Sequence, residues 1–401
     1  MTIDSVLKHS KERIRFAVLC FFIAQGLCFS CFFIRLPDIK VHFGIDDISH
    51  LGYLLTLLPI GKFLAIPAVG FLLPRIKSRL TTIISITGFI LTLFMIGFAP
   101  NVYILGVLLF FFGMFWNMTD ISLNTQAIEV ERMYGKPIIA TFHAGWSISA
   151  CIGAIIGYLF INTGINVFSH FTIMTIITLV IVLINCKYLQ KDARVSDDSV
   201  VKVEKVKEKR FKMPEMLLIQ LGLIWLVALI VENTIFDWSD IYFQSVVKAP
   251  ESLRIGFLIC LVMISVGRFL ANSAYRIWSK TMVLRIAGSL LFIGFITTGI
   301  FFDIENFTLR IIINSFAFML IGLGISCVVP TIYSIVGEKS KTPTGIALTI
   351  MSSISFVGPL IAPLLVGEVS KYWNMHWAYI IIGFFGFSIV LITILSKTLR
   401  K

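Results

Sequence analysis

Long apolar segments follow one another along almost the whole chain, and short polar stretches separate them. Each segment reaches the roughly 20 residues that a helix needs to cross the hydrocarbon of a bilayer. A helix also satisfies its own backbone hydrogen bonds, as an apolar medium requires. The pattern therefore predicts an all-α membrane protein with twelve transmembrane helices, at about residues 14–34, 49–73, 80–99, 102–127, 139–161, 166–187, 214–244, 252–275, 281–302, 308–336, 344–370 and 376–396.

One long polar stretch, residues 190–213, lies between the sixth and seventh segments and is rich in lysine. Basic stretches beside a membrane usually lie solvated near anionic lipid headgroups, so we predict a cytoplasmic linker. A regulatory docking site is the alternative. The predicted organisation is an N-terminal six-helix bundle (1–189), the basic linker (190–213) and a C-terminal six-helix bundle (214–401).

A basic residue lies within nearly the same five-residue sequence in each predicted bundle. Gly61-Lys62-Phe63-Leu64-Ala65 lies in the second segment, and Gly267-Arg268-Phe269-Leu270-Ala271 lies in the eighth, 206 residues later. A positive charge within hydrocarbon is costly unless it faces a protein interior or a wet cavity. Matched cations in two halves therefore indicate a duplicated protein with two pseudo-symmetric bundles and a polar centre.

Composition excludes several other classes of protein. With 57% hydrophobic residues, 14% charged residues and a mean hydropathy of +0.93, the chain exceeds what a soluble domain can bury. Its seven cysteines are scattered through the apolar segments, and Cys28-Phe29-Ser30-Cys31 has no second pair beside it, so we predict buried thiols and no metal. No hydrolase, metalloprotease or P-loop signature occurs in the sequence, so neither an enzyme nor a cofactor is expected.

The net charge of +12 is distributed unevenly along the chain. Lys and Arg concentrate in the tails, in the linker and in every second loop, which is the positive-inside pattern. This pattern predicts that both termini are cytoplasmic. It also accounts for the charge through membrane orientation, so a nucleic-acid partner is not expected.

The densest polar cluster within apolar surroundings lies in the fourth segment. Asn117, Asp120 and Asn124 follow the i, i+3, i+7 spacing that places them on one helix face. His143 and Trp146 lie in the fifth segment and are predicted to line the same pocket. Hydrogen bonding between helices is the alternative role for the amides, whereas a carboxylate such as Asp120 is costly in a membrane and indicates a functional group.

A second polar cluster lies in the seventh segment. Glu232, past the middle of the bilayer, is a candidate for binding substrate or protons, and Asn233, Asp237 and Trp238 follow it. Asp240 approaches the outer surface, and we expect it to be solvated. Gln25 falls near the middle of the first segment and is predicted to face the same space.

Five short motifs of the chain are considered together: Asp120-Ile-Ser-Leu-Asn124-Thr-Gln126, Glu129-Val130-Glu131-Arg132, Phe142-His143-Ala144-Gly145-Trp146-Ser147, Glu232-x4-Asp237-Trp238-Ser239 and Gly267-Arg268-Phe269. With these motifs the chain resembles the major facilitator superfamily over essentially its whole length, and in particular the fucose-permease-like and uncharacterised bacterial inner-membrane transporters. The resemblance implies two six-helix bundles around a central cavity lined chiefly by segments one, four, seven and ten. The loop after the second segment departs from the superfamily pattern, since Pro74 stands where an acidic or amide residue is usual.

These observations predict a secondary active transporter in the bacterial inner membrane that works by proton-coupled alternating access. Two carboxylates, Asp120 and Glu232, and two cations, Lys62 and Arg268, form a set in which a broken ion pair changes proton affinity. Amides and aromatic rings, including that of Tyr333, suit a small polar solute such as a sugar or sugar derivative. Proton-driven export of drugs or amphipathic metabolites is the alternative.

A transporter-like receptor and an intramembrane enzyme are further alternatives, and solute flux separates both from a transporter. The expected partners are a small-molecule substrate, protons and membrane lipid, and the expected state is a monomer.

Overall fold

The computed structural model describes residues 3–135, 138–190, 215–342 and 344–400. Within these ranges the chain is helical and contains no strand. Three short 3₁₀ turns, Cys186–Tyr188, Glu251–Leu253 and Phe301–Asp303, join helices. The α-helices of the described ranges are α1 Ile3–Ile34, α2 Leu36–His42, α3 Ile48–Ile96, α4 Val102–Tyr134, α5 Ile139–Asn162, α6 Val167–Asn185, α7 Met216–Ser245, α8 Gly256–Ile277, α9 Lys280–Ile300, α10 Phe307–Ser326, α11 Val328–Lys339, α12 Thr344–Ser355, α13 Gly358–Trp373, α14 Met375–Leu395 and α15 Lys397–Arg400.

Twelve spans in the described ranges are long and apolar enough to cross a membrane, which confirms the predicted all-α membrane fold. The spans do not coincide one to one with helices. Helix α3 holds two spans, Ile48–Leu73 and Arg75–Ile96, whereas the tenth span runs through α10 and α11 as Phe307–Lys339. The eleventh span, Ile346–Trp373, runs through α12 and α13 in the same way.

Two prolines explain where the tenth and eleventh spans break. A proline has no N–H to donate to the carbonyl four residues earlier, so it weakens a helix at that point. Pro330 leaves the carbonyl of Ser326 without its helical donor, and α10 ends at Ser326. Pro359 stands in the same relation to Ser355, where α12 ends.

The chain divides into two compact units. The first unit comprises Met1–Phe43 and Leu57–Lys202, and the second comprises Gly44–Thr56 and Val203–Lys401. The beginning of α3 thus groups with the second unit, while the rest of α3 groups with the first. The predicted basic linker lies outside the described residues except for its first position, 190.

The repeated glycine occupies an equivalent helix crossing in each unit. At Gly61, a methyl group would collide with the backbone of Phe110 and Met114 on α4. At Gly267, a methyl group would collide with the side chain of Ser326 on α10. Each glycine therefore lets the helix that carries the cation approach the fourth helix of its own unit closely. This close contact is a physical reason for a glycine at the same place in both repeats.

Helix α1 crosses α5 at similarly close range. A methyl group at Gly26 would collide with the carbonyl oxygen of Trp146 and the hydroxyl of Ser149, and Gly153 has the same relation to Ser30. Gly145, Gly153 and Gly157 of α5 are thus packed against α1. This crossing brings the middle of α1 beside the polar face of α4.

Candidate functional site

Asp120 on α4 is joined to Gln25 on α1. The Gln25 Nε2 group donates a hydrogen bond of 2.6 Å to Asp120 Oδ1. Gln25 is 1% exposed, and its Oε1 atom is buried without a hydrogen-bond partner among the described residues. Asp120 is half-buried. Two residues predicted from separate segments thus meet, and the carboxylate keeps some access to a space outside the packed core.

The positive charge of Lys62 on α3 interacts electrostatically with the same carboxylate. The Lys62 Nζ atom also lies 3.1 Å from the centroid of the Trp116 ring, in a cation–π contact. One residue further along α4, Asn117 Nδ2 donates a hydrogen bond of 2.7 Å to the Lys62 carbonyl oxygen. This hydrogen bond joins α3 to α4 at the residue that carries the cation.

Aromatic rings enclose this group of residues. The Phe29 ring on α1 lies between two indoles, with its centroid 5.0 Å from that of Trp116 and 5.1 Å from that of Trp146. Trp116 is 8% exposed, whereas Trp146 is half-buried. Trp146 was predicted from the sequence as a site residue, whereas Trp116 and Phe29 were not. The signal for Trp116 was available, because it precedes Asp120 by four residues on the same helix face.

The two other residues predicted in the first unit are placed less centrally. Asn124 Nδ2 donates to the Asp120 carbonyl oxygen at 2.8 Å, a contact within α4. The His143 ring on α5 is exposed and lies edge-on to Phe22 of α1, with centroids 5.4 Å apart. Since Phe22 precedes Gln25 by one helical turn, His143 lies near the site along α1.

In the second unit, the predicted cluster on α7 is mostly packed. Glu232 and Asn233 are half-buried, and Asn233 Nδ2 donates to the Leu229 carbonyl oxygen at 2.8 Å. Asp237 is 6% exposed and Trp238 is fully buried. The indole N–H of Trp238 has no hydrogen-bond partner among the residues that the structure describes.

The last two predicted residues lie on α8 and α11. Arg268 is exposed, and its charge reaches Cys327, the residue at the break between α10 and α11. Tyr333 is 43% exposed, and its ring lies edge-on to Trp225 with centroids 5.3 Å apart. The contacts of these two residues thus involve the broken tenth span and the beginning of α7.

The expectation that Asp240 is solvated is wrong. Asp240 is 4% exposed, and its Oδ1 accepts a hydrogen bond of 2.9 Å from the Phe257 N–H. This N–H lies in the first turn of α8 and has no acceptor within that helix. The carboxylate therefore caps a neighbouring helix, a long-range role that the spacing of residues on α7 does not reveal.

The arrangement in the first unit combines four chemical functions: a carboxylate, a carboxamide, an ammonium group and aromatic faces. The carboxylate can accept a proton, or a hydrogen bond from a hydroxyl group. The amide can donate a hydrogen bond to the carboxylate or to a solute. Among the described residues, no three His, Cys, Asp or Glu side chains are grouped so as to hold a metal ion.

Comparisons with known proteins agree on one family. The sequence model of the Major Facilitator Superfamily matches residues 17–352. The chain is 28% identical over 386 residues to the uncharacterized transporter y4wD of Sinorhizobium fredii, covering 95% of this chain and 96% of that protein. It is 24% identical to an uncharacterized MFS-type transporter of Yersinia pestis, covering 90% of each.

A third relative and two solved structures extend the comparison. Membrane protein MosC of Rhizobium meliloti is 24% identical, covering 88% of this chain and 83% of that protein. Two crystal structures of the nucleoside transporter NupG superpose with TM-scores of 0.75 and 0.70 at 13% and 14% identity. They cover 95% and 96% of this chain and 99% and 98% of theirs, so the fold is shared along the full length.

Proposed function

This chain belongs to the major facilitator superfamily of transporters, and we propose that it imports a small polar solute by proton-coupled alternating access. The observation that carries the proposal is the Gln25–Asp120 hydrogen bond beside Lys62, within helices that cross the membrane. A membrane carboxylate next to one cation has two accessible charge states. Proton binding neutralises the carboxylate and frees the cation, so a proton and a solute can be exchanged at the same residues.

Asp120 is the proposed proton-carrying residue, and Gln25 and Asn117 are proposed to hydrogen-bond the solute together with it. Gln25 supports this role because its Oε1 atom lacks a hydrogen-bond partner among the described residues. Glu232 on α7 is proposed as a second acidic group of the transport cycle, with Arg268 as the cation of its unit. His143, Trp146, Asn233, Asp237, Trp238 and Tyr333 remain candidates for the solute site, as does Asn124.

The favoured cargo is a sugar or a sugar derivative. Carboxylate and amide groups match hydroxyl groups, and aromatic faces such as that of Trp146 match the apolar face of a sugar ring. The shared fold with NupG, a nucleoside transporter, is consistent with this class because a nucleoside contains a sugar. The identity of 13% is too low to transfer that cargo directly.

We further propose the placement of the chain in the membrane. The Lys and Arg distribution supports cytoplasmic termini and a bacterial inner membrane, where a proton gradient is available. The proposed organisation keeps the two six-helix bundles, 1–189 and 214–401, joined by the basic stretch 190–213 near lipid headgroups. A monomer is sufficient for this mechanism, and no catalytic step is proposed.

The test uses purified protein in proteoliposomes. A thermal-shift screen of sugars, nucleosides and other polar solutes selects labelled candidates, because a ligand that binds only the folded state stabilises it. We expect an inward proton gradient to drive accumulation of one of them, and Asp120→Asn to abolish accumulation while leaving exchange at equal concentrations. Glu305→Gln, which removes a carboxylate from an exposed loop, is the matched control. Efflux of a cationic dye without solute uptake would favour the exporter instead.

A further inference from the structure

The ammonium group of Lys62 is attracted by two neighbours of different character. One is the carboxylate of Asp120, which is charged only when deprotonated. The other is the face of Trp116, which attracts a cation at any pH and lies 3.1 Å from Nζ. A cation that loses its counterion in low-dielectric surroundings otherwise bears a large desolvation cost.

We propose that Trp116 is a positioning residue: its indole face holds the Lys62 ammonium whenever Asp120 is protonated, so that proton binding does not leave Lys62 without a partner. This inference rests on the proposed role of Asp120 as the proton-carrying group. The Lys62 ammonium group thus has two alternative positions, one at the Asp120 carboxylate and one at the Trp116 ring. No bond is made or broken except that of the proton on the carboxylate.

The packing around Trp116 supports a fixed ring. Trp116 is 8% exposed, and Phe29, Phe33 and Phe89 surround it at centroid distances of 5.0, 6.1 and 6.3 Å. The Lys62 backbone is also fixed, through the hydrogen bond from Asn117. Only the flexible part of the lysine side chain therefore has to move between the two positions.

The groups that face Asp120 from each neighbouring helix are consistent with this control by Lys62. Helix α3 contributes Lys62, and α1 contributes the uncharged amide of Gln25. Helix α5 contributes His143, whose ring packs against α1, and α4 itself carries Glu129 more than two turns further on. Lys62 is thus the charge whose position decides how readily Asp120 takes up a proton.

The sign of the effect follows directly. If the ring is removed, the Lys62 ammonium remains at the carboxylate, and a nearby cation favours the ionised carboxylate. More acid is then needed to protonate Asp120. A desolvated cation–π contact is strong enough to displace the midpoint pH of Asp120 protonation by about one pH unit.

The experiment follows protonation of Asp120 directly, without substrate. Infrared difference spectra of the lipid-reconstituted protein are recorded across a pH series, and the protonated-carboxyl band of Asp120 is assigned by its loss in Asp120→Asn. In Trp116→Leu the band should appear about one pH unit lower than in the wild type. Trp116→Phe should give a smaller displacement, and it serves as the test should the leucine variant not fold.

Two controls separate positioning from general loosening of the core. Phe112→Leu removes another buried ring from α4, one turn before Trp116, and should leave the midpoint unchanged. In a Lys62→Gln background, Trp116→Leu should no longer move the midpoint. Equal displacements with Phe112→Leu, or an undiminished one without Lys62, would overturn the inference.

Failure of the proposed function has a separate signature. If the wild type shows no titrating Asp120 band and no proton-driven uptake, the proposed coupling fails. If the wild type shows both, and Trp116→Leu does not change the pH at which the band appears, only the proposed role of Trp116 fails.

Discussion

The two repeated cations occupy similar backbone positions but have different surroundings. Lys62 follows a glycine that packs on α4, and the next turns of α4 carry Trp116 and Asp120. Arg268 follows a glycine that packs on the end of α10, where the helix breaks. The repeat therefore specifies the position of a cation in each unit, while the residues of the fourth helix determine which groups that cation contacts.

The acidic groups differ between the units as well. The first unit has its carboxylate on the fourth helix and an amide, Gln25, on the first. The second unit has Glu232 on its first helix, 207 residues after Gln25 and thus at nearly the repeat spacing. We infer that duplication supplied the helical frame and that the charged residues afterwards diverged between the two units.

The largest expected effect compares the two carboxylates. Asp120→Asn should abolish proton-driven accumulation, because the group that changes charge is gone and Gln25 loses a charged acceptor. Glu232→Gln should reduce accumulation and retain measurable coupling. Uptake against a concentration gradient, measured with and without an imposed pH difference, tests both. A more severe loss with Glu232→Gln would reverse the comparison between the units.

The next effect compares the two cations. Lys62→Gln removes the cation whose charge acts on Asp120, and a loss of about 1.4 kcal/mol corresponds to a factor of ten, so initial uptake should fall about tenfold. Arg268→Gln should lower uptake less than about threefold, since Arg268 is exposed and exposed charges contribute little. Equal losses in the two variants would indicate that the frame alone determines function.

A stability effect distinguishes the two glycine crossings. A methyl group at Gly61 meets backbone atoms of α4, which cannot move aside, whereas at Gly267 it meets the side chain of Ser326. Gly61→Ala should therefore destabilise the protein by about 1–3 kcal/mol, the usual cost of overpacking, and Gly267→Ala by less. Thermal unfolding in detergent measures both, and the opposite ranking would show that the crossing in the second unit is the tighter one.

The smallest effect concerns the loop that follows the fourth helix of each unit. Glu131 accepts hydrogen bonds from the N–H groups of Ile138 and Ile139, at 2.7 and 3.0 Å, and so caps α5. Glu215 accepts from the Thr342 hydroxyl at 2.7 Å. Glu131→Ala should cost about 1 kcal/mol, as is usual for a helix cap, and Glu215→Ala less than that because Glu215 is partly exposed.

Acid provides a check on the Glu215 contact. The Thr342 hydroxyl and the Lys341 N–H hold the pKa of Glu215 below its usual value by donating to its ionised form. A lowered pKa in the folded state means that the contact stabilises the protein above the unfolded-state pKa and is lost as the pH falls through the folded-state pKa. The stability difference between wild type and Glu215→Ala should therefore vanish in acid. A difference that persists there would show that packing, and not the carboxylate, stabilises the loop.

Much of the fold was predictable because a membrane imposes a simple rule on each span. A run of about 20 apolar residues predicts a helix regardless of its neighbours, and all twelve spans were found. The breaks at Ser326 and Ser355 were missed, although Pro330 and Pro359 signal them. The prolines were inside apolar runs, and hydropathy does not register the loss of a backbone donor.

The candidate site was only partly predictable for a different reason. Asp120, Asn117 and Gln25 stand out as polar residues among apolar ones, so their identity was clear from the sequence. Trp116 lies on the same helix face as Asp120 but is apolar enough to pass as core, and its contact with Lys62 is visible only in the structure. Asp240 shows the converse, since its partner Phe257 lies in another helix and spacing along α7 cannot identify it.

The turn between the second and third spans has a mechanical consequence. In α3, which runs from Ile48 to Ile96, Lys77 is the residue with non-helical angles, at φ 64° and ψ 162°. With so short a connection, the second span cannot shift along the membrane normal without displacing the third. Any axial movement of the second span, which carries Lys62, is therefore transmitted to two helices at once.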